Sequence, residues 1–127
     1  MFNLNNKIFT ALQNSENGEV SNQTHFFYFQ QDNVIWAEYH GGEILKGFLI
    51  GKWISDSQIK FSYQHLNHQL ENRLGHCVTT FSVENGKLVG YEHWQWLDTL
   101  ETGQSQIIEI DTAALHSQMA VKFILGQ

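Results

Sequence analysis

Two aromatic-rich runs carry the side chains best equipped for chemistry. In Gln58–Asn67, the residues Ile59, Phe61, Tyr63, His65 and Asn67 alternate with Lys60, Ser62, Gln64 and Leu66. In Lys87–Leu97, the residues Leu88, Gly90, Glu92, Trp94 and Trp96 alternate with Val89, Tyr91, His93 and Gln95. A period of two puts each set on one face of an extended strand. Tyr63, His65, Glu92, Trp94 and Trp96, joined by Tyr39 from an earlier run, would give apolar walls with a few polar anchors. That is the make-up of a pocket for a small, partly polar molecule. A carboxylate on a tryptophan face must be solvated, paired or protonated, because burying it unpaired is costly. Glu92 is therefore the candidate anchor. The structural alternative pairs Glu92 with Arg73 or hydrogen-bonds it to His65 and Tyr63. The catalytic alternative uses Glu92 and His65 as an acid–base pair, which needs both within hydrogen-bond reach of a reacting atom.

Other reactive side chains are less organised. His65-x-x-His68 is the closest histidine pair, but it straddles a strand end and a turn. No carboxylate or thiol stands at a companion spacing, so no metal is expected. Cys77 would need a base such as His65 to act as a nucleophile, and a buried, inert thiol is the simpler expectation. The chain contains no phosphate loop, no G-x-G-x-x-G and no G-x-S-x-G. No cofactor is expected, and no catalytic residue is assigned.

The elements that must position these groups read as strands. Runs rich in Val, Ile, Phe, Tyr, Trp and Thr cover Ile8–Gln13, Thr24–Gln31, Val34–His40, Ile44–Ile54, Gln58–Asn67, Arg73–Val83, Lys87–Leu97 and Gln104–Ile110. Turn residues separate them, among them Asp32-Asn33, Gly41-Gly42, Asn67-His68 and Glu84-Asn85-Gly86. Two-residue links favour antiparallel neighbours, and no link is long enough for a crossover helix. The expected fold is all-β: an antiparallel up-and-down meander of about eight strands, closed into a barrel so that no edge is exposed. Phe26, Tyr28, Ala37 and Tyr39 are placed inside, with Arg73, Gly75, Cys77, Thr79 and Phe81. The fourth run is sorted with Leu45, Gly47, Leu49, Gly51 and Trp53 on one face, its glycines marking a bend or a close backbone approach. Asp111-Thr112 reads as an N-cap, with Leu115, Met119 and Phe123 at four-residue steps. A short C-terminal helix is predicted there, an extra strand over Ala120–Leu125 being the competitor. Residues 1–127 are read as one barrel domain, with a core at 7–110 and a helix or tail at 111–127.

Composition narrows the partners. Charged residues are only 16% of the chain, so the outer face is expected to rely on Ser, Thr, Asn and Gln. A net charge of −6 disfavours nucleic acid and anionic membranes, which need basic patches. Apolar stretches are too short to span a bilayer as a helix. One cysteine rules out an internal disulfide. Met1–Lys7 lacks a basic stretch leading into an apolar run, so a cytoplasmic protein of bacterial style is expected. The expected partner is an unidentified small molecule, with the chain a monomer or homodimer.

Several stretches carry a resemblance: Asn17-Gly18-Glu19-Val20, Trp36–Ile44, Lys46–Gly51, Tyr63–Asn67, Gly75-His76-Cys77 and Trp94-Gln95-Trp96. Over nearly all of 7–110 the chain resembles a family of small bacterial proteins often labelled N-acetylglutamate synthase. The architecture expected by analogy is lipocalin-like, avidin-like or, more broadly, calycin-like. The label would imply acetyl-coenzyme A, whose pyrophosphate the usual acetyltransferase fold holds at a helix N-terminus. The nearest stretch, Arg73-Leu74-Gly75-His76-Cys77, has the wrong spacing for that loop and lies inside a strand run. Small-molecule binding therefore leads, a small barrel enzyme follows, and the synthase activity is disfavoured.

Overall fold

The computed structural model describes residues 1–110, and the predicted helix at 111–127 lies outside them. Eight strands follow in order: β1 (Lys7–Asn14), β2 (His25–Gln31), β3 (Val34–Gly41), β4 (Ile44–Trp53), β5 (Gln58–Asn67), β6 (Asn72–Glu84), β7 (Lys87–Trp96) and β8 (Thr102–Glu109). Each pairs antiparallel with the next, and β1 pairs with β8 to close the barrel. Turn chemistry supports this order. Asn85 and Gly86 both adopt positive φ, 53° and 78°, as a two-residue hairpin between right-twisted strands requires.

Alternation sorts the faces as expected in β5 and β6, and in β7 except at Val89, which falls on the face opposite Leu88 yet is also buried. Phe26, Tyr28, Ala37 and Tyr39 are also buried inside. The fourth run needs a correction. Leu45 points outward and is exposed, while Ile44 is buried in its place. Register shifts between Ile44 and Lys46, and between Tyr39 and Gly41, add an irregularity at the β3–β4 turn. A bulge reverses the parity of the residues before it, so Gly47, Leu49 and Trp53 keep the inner face and Leu45 loses it. The outer face is also less polar than composition suggests. Trp36, Phe48 and Ile50 stand outward on β3 and β4, at 36%, 53% and 63% exposure.

The meander gives the barrel two different ends. At one end the N-terminal residues fill the opening. Leu4 is fully buried, its amide donating to Gln30 Oε1 at 3.0 Å, and Phe2 packs on Trp53. Phe9, Tyr28, Ile35, Ile59 and Phe81 complete an apolar core there. At the other end, the loop joining β1 to β2 crosses the opening, and beneath it the filling becomes polar and aromatic.

Candidate functional site

Period-two alternation brings side chains from all eight strands to one interior space. A cavity of about 50 Å³ lies in this half of the barrel. Tyr39, Tyr63, His65, Glu92, Trp94 and Trp96 all line it, together with Phe26, Phe61, Cys77 and Ser105. The six residues singled out from the sequence thus share one site. Asn14, Gly18, Glu19 and Val20 form its roof.

Three of its rings owe their positions to glycine. Tyr39 pairs across strands with Gly47, Tyr63 with Gly75 and Trp94 with Gly103. A Cβ on any of these glycines would fall within the facing ring. The rings therefore lie over bare backbone, which tips them into the barrel instead of along its wall. Further ring contacts tie Tyr63 to Trp96 at 5.6 Å and Trp94 to Trp96 at 5.5 Å.

Glu92 is nearly sealed, at 6% exposure. Ser105 Oγ donates to its Oε1 at 2.6 Å, and Thr79 Oγ1 makes a long contact to Oε2 at 3.5 Å. Burial pushes this carboxyl up to about 7, against the lowering effect of Ser105 and Thr79. None of the three partners anticipated from the sequence is used: Arg73, His65 and Tyr63 all make their hydrogen bonds and ion pairs elsewhere. Cys77 is buried beside Thr79, with sulfur and oxygen 3.7 Å apart. Burial first, and the Glu92 charge second, push its thiol well up. It is poorly suited to act as a nucleophile.

His65 belongs to a different network. Its Nδ1 lies 2.9 Å from Tyr39 Oη and its Nε2 lies 2.7 Å from Glu19 Oε1. A carboxylate can only accept, so Nε2 carries the proton and the Tyr39 hydroxyl donates to Nδ1. Burial lowers the His65 value despite the opposing carboxylate, which keeps the ring neutral. Asn67 Nδ2 and Arg73 Nη1 donate to Glu19 Oε2 at 3.1 and 3.2 Å. Burial would raise Glu19, but His65, Asn67 and the Arg73 charge outweigh it and hold the carboxyl below its ordinary value. Arg73 also lies 4.0 Å over the Trp96 ring and forms an ion pair with Asp98. Trp96 Nε1 donates to Asn17 O at 3.1 Å. Glu19 and Asn17 thus fasten the β1–β2 loop across the mouth.

Sequence reasoning did not single out Glu19, Asn14, Thr79 or Ser105 as site residues. Glu19 and Asn14 come from a turn and a strand end with no periodicity. Ser105 meets Glu92 only through the pairing of β7 with β8. The one signal for Glu19 was its place in the Asn17–Val20 stretch. Among the described residues, no helix is long and apolar enough to cross a membrane.

A model of the family described as avidin-like protein matches residues 2–110. No curated protein and no solved structure matches the chain.

Proposed function

This chain belongs to the avidin-like protein family, and from that premise we propose that it binds a small molecule inside its barrel. One observation carries the reading: a cavity with aromatic walls, in which Glu92 and the roof residue Asn14 stand ready as polar anchors. Tyr39, Tyr63, His65, Trp94 and Trp96 supply the remaining contacts. A cavity of about 50 Å³ has room for a few water-sized groups. A larger ligand enters only when the 15–24 loop lifts and the Glu19 hydrogen bonds break. We place the protein in the cytoplasm, where a lone thiol such as Cys77 stays reduced.

Ligand screening by melting temperature and tryptophan fluorescence tests this reading, since a compound that binds only the folded state stabilises it by mass action. Hits are expected whose effect disappears in Trp94→Ala. A screen in which no compound raises the melting temperature overturns it.

A second reading, acid–base catalysis by Glu92 and His65, has one supporting observation. A carboxyl held at about 7 is suited to proton transfer near neutrality. It predicts a compound that Glu92→Gln still binds but no longer converts. An N-acetylglutamate synthase reading has less support, because every regular element among the described residues is a strand, with no helix N-terminus to cradle a coenzyme A pyrophosphate.

A further inference from the structure

Resting on the small-molecule reading, we infer that the molecule held is a small organic cation. Its nitrogen would bond to Glu92 and its carbons would lie against Trp94 and Tyr63.

The argument starts from what Glu92 lacks. Its partners are two neutral hydroxyls, Ser105 at 2.6 Å and Thr79 at 3.5 Å. No ion pair among the described residues includes it; the Arg73 guanidinium and the neutral His65 ring are committed elsewhere. Arg73 is held by Glu19 and Asp98 at 3.2 and 3.4 Å, and His65 by Glu19 and Tyr39. A buried carboxylate without a counter-charge is costly, and a bound cation removes that cost.

The remaining hydrogen-bonding capacity points the same way. The hydroxyls of Tyr39, Tyr63 and Ser105 already face acceptors on His65, Gln95 and Glu92. The Tyr28 hydroxyl is also buried without a partner but lies outside the cavity lining. Within the lining the spare positions are acceptors: the Glu92 oxygens and Asn14 Oδ1, the latter buried with no partner among the described residues. A ligand rich in N–H groups satisfies them; a carboxylate or phosphate cannot. Around them stand Trp94, Trp96 and Tyr63, whose ring faces attract cations. The Arg73 guanidinium over Trp96 already uses one such face at the mouth. An anion would have to pass Glu19 and then approach Glu92, whereas the net charge of −6 draws cations toward the barrel. The charge on Glu92 is also felt across the cavity, where it raises Tyr39 and Tyr63 in addition to the larger effect of burial.

Three short-chain probes that differ chiefly in charge separate the possibilities: propylammonium, 1-butanol and butyrate, titrated at pH 8 with melting temperature and tryptophan fluorescence as readouts. Propylammonium is expected to bind about tenfold tighter than 1-butanol, and butyrate not at all. The preference should weaken as the pH is lowered through about 7 and Glu92 protonates. In Glu92→Gln the ammonium and the alcohol should become equal. Carbon-13 NMR of the Glu92 carboxyl gives a check without mutation: saturating propylammonium should move its titration to lower pH. Equal binding of the alcohol and the ammonium by the native protein, or an unmoved Glu92 titration, overturns the cation assignment and leaves the binding reading standing. If no probe binds, the cation assignment fails. If a broad library of neutral and anionic compounds fails as well, the binding reading falls with it.

Discussion

Glu92 sets the pH behaviour of the interior because its charged form is the costly one. Its carboxyl titrates near 4.5 when unfolded and at about 7 when folded. A raised value means that the stability it contributes is complete below about 4.5 and lost as pH rises through about 7. The span corresponds to about 3 kcal/mol. Glu92→Gln keeps the volume and an acceptor for Ser105 while removing the charge. We expect its unfolding free energy, measured in urea, to lose this downward slope and to equal or exceed the parent's at pH 8. Glu19 and His65 act with the opposite sign. Both values are lowered, so their contribution is present above the unfolded values and declines as pH falls through the folded ones. The Cys77 thiol, raised and buried, should react with iodoacetamide only at the rate of global unfolding; fast labelling of the native protein would contradict its placement. At this scale the sequence was half legible. The position of Glu92 between Gly90 and Trp94 showed that it points inward. Its dependence on Ser105 could not be read, because register between β7 and β8 is a property of the pairing and not of either strand.

Strands and their links succeed or fail as units. All eight strands were legible, since turn residues bounded each run. Alternation assigned faces best in β5, β6 and β7, while β2 and β3 are apolar on both sides and their sequences carry no clear division. The failure at Leu45 has a local cause, a bulge that breaks the count by one. The β1–β2 loop was opaque for another reason: its residues follow no period, and its place over the mouth depends on Glu19 meeting groups on β5 and β6. Glu19→Ala should release that loop at a cost of about 1–3 kcal/mol, the penalty for leaving partly buried donors unmet. Hydrogen exchange should quicken at 15–24 without quickening in β5, and association with any ligand should accelerate. The ring-over-glycine pairs give a second test. Gly103→Ala places a methyl where Trp94 lies, at a cost of about 1–3 kcal/mol for overpacking. Trp94 emission should move to the red as the ring is pushed toward water, while far-ultraviolet circular dichroism keeps its strand signature.

The barrel as a whole presents an apolar strip to solvent on β3 and β4, where Trp36 and Ile50 face each other across the strands. Such a patch commonly marks an interaction surface. We expect concentration-dependent self-association in sedimentation experiments, weakened by Ile50→Lys with no loss of melting temperature. Closure itself has a further consequence. The seam joins Phe9 to Glu109, so the earliest strand waits for the latest. On the ribosome, a nascent chain exposes the free edge of β1 and its apolar inner face until β8 has emerged. Such non-local pairing slows folding and leaves the incomplete sheet open to aggregation. The cavity draws its lining from Asn14 through Ser105, so no truncated product contains it. A ligand of this protein would therefore recognise only finished molecules, and its presence during synthesis would raise the yield of folded protein as a chemical chaperone does.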